Sequence, residues 1–311
     1  MASTTSDAPA DQAAQPPRHG GDAAPSATKP VGARRSGARR FLRPLVLTVG
    51  ALAFLFPFYY MFVGSLQSDP DTSLRGAFPD PGNLTFENYR AIDGAISLGR
   101  SLMNSGIFTG GVLLGTLVIG VLAGYALAQL QFRGRGVMFA MLLLVQVVPF
   151  QLLMIPLYVQ LIRGYGLGDS YLGMILPFLV NGAAVFIFRQ FFVSLPPELF
   201  AAARLDGASE LQVLRHVALP LVRPALLTVV LLTFIGPWNE FLWPFLVTKE
   251  AAKQPLAVSL ANFISSQAGR EDNPFGAILA GACVLAVPAV VLFVVFQRHF
   301  NATDIGSGVK G

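Results

Sequence analysis

Residues Ser101–Phe132 read SLMNSGIFTGGVLLGTLVIGVLAGYALAQLQF, which is 32 residues without an aspartate, glutamate, lysine or arginine. At 1.5 Å per residue a helix of that length runs about 48 Å, and roughly 20 apolar residues cross a bilayer core. The stretch is therefore expected to be a transmembrane helix. Gly111-x-x-x-Gly115 and Gly120-x-x-x-Gly124 place small residues on one helical face, where a neighbouring helix can approach closely.

Outward from it lie further charge-free runs: Leu45–Leu66, Val137–Ile162, Ser170–Phe188, Pro224–Asn239 and Gly276–Gln297. The run from Pro224 is shorter. It meets Glu240 and then continues apolar to Thr248. These give six spans, all helical, because lipid offers no partner to open backbone groups. The expected fold class is all-α, a polytopic membrane protein with six transmembrane helices. Pro57, Pro149, Pro156 and Pro288 mark expected kinks.

Composition agrees. Of 311 residues, 53% are hydrophobic and 13% charged, against about a quarter charged in soluble domains. Cys283 is the single cysteine, which leaves no intrachain disulfide and no cysteine-based metal site. His19, His216 and His299 are scattered, so no metal-ligand set is expected. No nucleophile–base set or carboxylate pair lies within the spans, and no catalytic residue is assigned.

Residues 1–44 are rich in Ala, Pro, Ser and Gly and read as a disordered arm. A cleaved signal peptide is not expected, because the following apolar run is too long and no small-x-small site follows it. Residues 45–297 form the six-span domain, with an insert at 196–220, and 298–311 a tail. If both ends lie in the cytoplasm, fifteen of the 22 lysines and arginines lie on that side and seven opposite, as the positive-inside rule favours. The net charge of +5 then reflects topology. No basic stripe with interleaved aromatics points to nucleic acid.

The insert contains ELFAAARLDGASELQVLRHVALP, Glu198 to Pro220. Pro196-Pro197 end the fourth span and suit the first turn of a helix. Glu198 complements that helix's dipole. Asp206-Gly207 is the expected stop, with glycine in the left-handed region. Ser209 to Gln212 has capping-box spacing, so a second helix starts at once, runs to about Val217 and is closed by Pro220. Leu199 and Ala203 share one side of the first helix, and Leu211, Leu214 and Ala218 one side of the second. From physics alone the insert is either a functional element or an amphipathic connector.

PPELFAAARLDGASELQVLRHVALPLVRPAL resembles the EAA loop of ABC importer permeases: Glu-Ala-Ala, three residues, Gly, nine residues, then Ile-x-Leu-Pro. Ala202-Ala203, Gly207, Val217 and Leu219-Pro220 match in spacing. Ala201 stands where the family usually has the glutamate. Glu198 matches another common acid of the pattern. AGYALAQLQFRGR, VPFQLLMIPLY, YGLGDSYLG, WNEFLWPFLV and the final GSGVKG are similar to the carbohydrate branch.

The resemblance implies a type I ABC importer permease fold in a bacterial inner membrane, with both termini cytoplasmic. It implies the transmembrane subunit of a sugar importer fed by an extracytoplasmic sugar-binding protein. A second, unlike permease and two ATPase subunits are the further partners. Glu198, Ala202, Ala203, Asp206, Gly207, Ala208, Leu219 and Pro220 are then the ATPase-coupling residues. No cofactor is expected in this chain, since no Gly-x-x-x-x-Gly-Lys-Ser/Thr loop is present; ATP and Mg²⁺ would bind the partner ATPase. The GSGVKG tail is either a second contact to that partner or a frayed end.

An acid within a membrane marks a candidate site. Glu240, with Trp238 and Asn239, forms a cluster chemically apt for a sugar, and its competing role is structural pairing. Gln146 and Asn181 are further pathway candidates, or interhelical bonds. Residues 67–100 form a long outer loop with aromatic anchors Phe78, Phe86 and Tyr89, either a binding-protein contact or a cap on the spans. The alternative function is an ion-driven secondary transporter of a polar solute, which leaves the insert unexplained.

Overall fold

A computed structural model describes residues 37–79, 81–266, 269 and 273–303. The N-terminal arm up to residue 36 and the GSGVKG tail lie outside the described residues. One unit ends at Leu52 and a second begins at Ala53; all packing below belongs to the second. In chain order the helices are α1 (Gly37–Ser65), α2 (Glu87–Ile96), α3 (Leu98–Gln129), α4 (Arg135–Val145), α5 (Phe150–Leu157), α6 (Tyr171–Ile175) and α7 (Gly182–Ser194). They continue with α8 (Pro197–Leu205), α9 (Glu210–Gln212), α10 (Leu219–Leu221), α11 (Arg223–Asn239), α12 (Leu242–Val247), α13 (Leu256–Ser266) and α14 (Pro274–Thr303). Among the described residues there is no strand, only a bridge pairing Gln67 with Leu84.

Three stretches are long and apolar enough to cross a membrane as single helices: Leu42–Ser65, Leu98–Gln129 and Pro274–Gln297. Up to three more do so when each bent pair is counted as one span, although in the third pair the first arm, Glu210–Leu221, belongs to the insert. Arg135–Val145 with Phe150–Gly164 bends by 94°, Tyr171–Phe178 with Gly182–Ser194 by 51°, and Glu210–Leu221 with Arg223–Asn239 by 79°.

Each break has a local cause. After α4 the N–H groups of Gln146, Val147 and Val148 reach back only three residues, and Pro149 then supplies no donor. The kink expected at Pro149 is thus a full break, whereas α1 and α14 run on through Pro57 and Pro288. Pro156 lies inside α5, and the helix widens to a π turn over Tyr158–Gly164. Before α7, the Asn181 side chain accepts from the Ala184 N–H at 3.1 Å and caps the new helix. At Val222 the backbone leaves the helical region (φ −96°, ψ 19°), and a proline opens α11.

Helix α3 is the common packing partner. An added Cβ at Gly124 would stand 2.6 Å from the Phe188 Cβ and 3.0 Å from the Arg189 nitrogen; at Gly120 it would meet the Phe188 ring at 3.1 Å. Gly111 and Gly115 face Ile175 and Leu179 in the same way. Both glycine pairs therefore bring the α6–α7 arm against α3, as their spacing suggests.

The end of α3 that begins at Leu98 is covered by a second apolar cluster: Ile92 of α2, Leu256 and Phe263 of α13, and Ala277 and Ala280 of α14. The Asn88 amide donates to the Ser65 and Gln67 carbonyls at 3.0 and 2.7 Å. Asn273 donates to the Gln67 and Ser68 carbonyls at 3.1 and 2.8 Å. Residues 67–100, expected as a loop, are thus partly helical and tied to the spans. Tyr89 shares a hydroxyl hydrogen bond with Ser65 at 2.8 Å, whereas Phe78 and Phe86 are exposed.

Candidate functional site

The insert between α7 and α11 is a helix, a tight turn and a second helix. Pro197 and Glu198 occupy the first turn of α8. The helix ends in a Schellman arrangement: the Gly207 N–H reaches the Arg204 carbonyl at 3.1 Å and the Ala208 N–H the Ala203 carbonyl at 3.0 Å. Gly207 has φ +83°, with nothing within 4 Å of an added Cβ. Glycine is needed there for its backbone angle alone. The Ser209 N–H donates to the Gln212 carboxamide at 2.8 Å, which closes the start of the second helix.

That second helix differs from expectation in two ways. It passes through Pro220 to Leu221 and turns at Val222, and its middle, Val213–Ala218, is a widened π turn. A wider turn makes room for a proline that lacks its backbone donor. The widening also changes which side chains face inward. Val213, Leu214 and Ala218 are buried, while Leu211 points out. On α8 the buried residue is Phe200, and Leu199 is exposed. Phe200, Val213, Leu214 and Ala218 join Tyr125 of α3 and Phe188 and Phe192 of α7 in one cluster.

Glu198, Ala201, Ala202, Asp206, Gly207 and Pro220 lie on the exposed surface, and Ala203, Ala208 and Leu219 are half-buried. At the turn Leu205 is 88% exposed. On this surface the exposed Glu210 accepts from Arg204 Nε at 2.7 Å and from the Tyr125 hydroxyl at 2.7 Å. The Arg204 guanidinium first, and the tyrosine hydroxyl second, hold the Glu210 carboxyl below the usual carboxylate range. Sequence reasoning passed over Arg204, Leu205, Glu210 and Tyr125. Tyr125 was visible only as part of the AGYALAQLQFRGR stretch, and Glu210 only as a residue within the capping box.

The pathway candidates fall into two groups. Gln146 is exposed at the α4–α5 break, and Gly182, next to Asn181, leaves room for its side chain: a Cβ there would meet the Gln146 Cγ at 2.8 Å. Two of the breaks therefore touch. Trp238 is buried, stacked on Phe234 at 5.4 Å, and its indole N–H donates to the Leu285 carbonyl at 2.9 Å. Asn239 is exposed and donates to the Ile235 carbonyl. Glu240 accepts from the Trp243 N–H at 3.2 Å, a local cap on α12. An aromatic group joins these breaks. Phe150 lies 4.8 Å from Phe178 and 6.1 Å from Trp243, whose ring is fully buried. Among the described residues no cluster of His, Cys, Asp and Glu could hold a metal ion.

Residues 116–303 match the family described as binding-protein-dependent transport system inner membrane component. The chain belongs to this family. It is 33% identical over 267 residues to the arabinooligosaccharides transport system permease protein AraQ of Bacillus subtilis, covering 84% of this chain and 92% of that one. It is 34% identical to the trehalose transport system permease protein SugB of Mycobacterium tuberculosis, over 90% of this chain and all of that one. The sn-glycerol-3-phosphate transport system permease protein UgpE of Yersinia pestis is 29% identical over 262 residues, 82% of this chain and 92% of that one. In three dimensions the permease matches a chain from the crystal structure of a bacterial ABC transporter involved in the import of the acidic polysaccharide alginate. The TM-score is 0.75 at 26% identity, over 88% of this chain and all of that one. The six-span reading and the ABC importer permease fold follow. Within that fold the helix–turn–helix presents Glu198, Arg204, Asp206 and Glu210 on its exposed side.

Proposed function

We propose that this permease is one transmembrane half of a sugar importer, and that the helix–turn–helix at 196–220 couples it to a separate ATPase. The observation that carries this is the contrast between the two sides of the insert. Its inner side packs in an apolar cluster, and the exposed Glu210 ties its edge to Tyr125 of α3. Its outer side presents Leu205, Asp206 and Gly207 to solvent. A leucine exposed at a helix end suits an apolar groove on a partner, as in helix-in-groove recognition. Glu198, Ala202, Ala203, Ala208, Leu219 and Pro220 shape or flank that contact.

ATP and Mg²⁺ are then held by the partner, and this chain is non-catalytic. The remaining partners are a second permease, an unlike chain, and an extracytoplasmic sugar-binding protein that meets the opposite face near Phe78 and Phe86. Both termini lie in the cytoplasm of a bacterial cell, with the insert on their side. The solute passes where the broken helices meet, beside Gln146, Asn181, Asn239 and Glu240. Broken helices supply polar backbone groups in many transporters. The names of the relatives favour a sugar or sugar-like solute.

The test is to purify the tagged permease from its native membrane and identify what accompanies it. An ATPase and a second six-span chain are expected in stoichiometric amounts. Leu205→Glu is expected to strip the ATPase while leaving the second permease bound. A chain that emerges alone from several mild detergents would show the insert to be a connector.

A further inference from the structure

Glu210 is the meeting point of three elements. It opens α9, Arg204 lies in the last turn of α8, and Tyr125 lies about one turn from the end of α3. The Tyr125 hydroxyl donates to Glu210 Oε2 at 2.7 Å. Arg204 Nε donates to Oε1 at 2.7 Å and its Nη2 to Oε2 at 3.2 Å. Both carboxylate oxygens are therefore engaged. Tyr125 is 4% exposed, with Phe192 edge-on to its ring at 5.5 Å and Phe200 beside it at 6.4 Å.

The rest of the contact between the insert and α3 is apolar, from Phe200, Val213, Leu214 and Ala218. Apolar contact is non-directional, so one greasy face can slide over another. A hydrogen bond from a hydroxyl to a carboxylate is directional and charge-assisted. An exposed ion pair such as Arg204–Glu210 adds little by itself. Here it bridges the Gly207 turn, and the same carboxylate continues to a buried tyrosine on a span. Helix α3 in turn reaches from the insert to the cluster of α2, α13 and α14 at its far end.

We propose that Tyr125, Glu210 and Arg204 form a positioning strut that fixes the insert to α3, so that force on the exposed turn tilts α3 rather than slipping beneath it. This rests on the coupling reading above, with the ATPase as the source of the force. The strut sets the angle and register through which motion passes.

The experiment uses the whole complex, purified with its ATPase. Nitroxide labels are placed at Met103→Cys, near the far end of α3, and at Arg215→Cys on the insert, both exposed positions, in a Cys283→Ser background. Pulsed electron paramagnetic resonance reads the distance between them without nucleotide and with ATP, Mg²⁺ and vanadate. With the native strut one narrow distance is expected, unchanged between the two states. Tyr125→Phe keeps the ring and removes the hydroxyl. It is expected to broaden the distribution and shift it when nucleotide is added. Glu210→Gln removes the charge and one of the two acceptor oxygens and is expected to broaden the distribution in part, whereas Glu210→Ala is expected to behave as Tyr125→Phe does. If Tyr125→Phe gives the native distance in both states while the ATPase remains bound, the strut is wrong and the coupling reading stands. If no ATPase accompanies the native chain, the coupling reading falls and the strut with it.

Discussion

Gly207 separates two reasons for a glycine. Nothing crowds an added Cβ there, yet φ is +83°, so the requirement is conformational. A β-branched side chain in the left-handed region costs about 1–2 kcal/mol, whereas asparagine tolerates it. Gly207→Val is expected to weaken ATPase binding about tenfold, as 1.4 kcal/mol implies, and Gly207→Asn to leave it near native. Titrating purified ATPase onto each variant in nanodiscs checks this. Equal binding by the two variants would remove the turn from the mechanism. Glu210 yields a second expectation. Its carboxyl is depressed by its partners, so its contribution is complete above the ordinary glutamate pKa of about 4.3. That contribution is lost as pH falls through the lower folded value. Protection of the amides across 204–214, taken relative to their intrinsic exchange at each pH, should therefore fall on acidification below that range, and Glu210→Gln should flatten the change.

At the scale of the elements, Gly124 is the closest approach between α3 and α7 for which a side chain has nowhere to go. The backbone nitrogen of Arg189 would lie 3.0 Å from an added Cβ, and backbone cannot rotate aside. Gly124→Ala is expected to destabilise the permease by about 1–3 kcal/mol, as overpacking does. Gly110→Ala, with open space around it, is expected to raise helix propensity at no steric cost. Thermal unfolding in detergent compares them. This pairing was legible in sequence, because glycines four apart on an apolar helix have one common use. The two-helix insert was legible too, through Pro197, Gly207 and the Ser209–Gln212 spacing. The 94° break was not. Pro149 announced a disturbance, but its size depends on three consecutive short-range hydrogen bonds before it, which composition does not encode. Likewise the inward face of the insert follows from the π turn at Val213–Ala218, which shifts Leu211 outward. Tyr125 and Glu210 are 85 residues apart, and nothing in either neighbourhood names the other.

At the scale of the whole molecule, large apolar side chains face outward over much of the second unit, among them Phe54, Phe58 and Phe62 of α1 and Val290, Phe293 and Val294 of α14. Faces of this extent require lipid or a second apolar chain. The orientation proposed above has a direct check. Cys283 is the single cysteine and is buried, so it contributes little background labelling. A membrane-impermeant maleimide is expected to label Phe78→Cys in intact cells and Leu205→Cys only after the membrane is opened. The reverse pattern would invert the topology and place the insert where no cytoplasmic ATPase could reach it.

The chain has two tryptophans, and they bracket one hinge. Trp238 closes α11 against α14, and Trp243 starts α12 in a fully buried aromatic group, with Glu240 between them. Any opening of that hinge changes the separation of the two indoles and wets the second. The emission of the unlabelled chain should then shift to the red as the hinge opens, a built-in optical gauge of movement beside the proposed route of the solute.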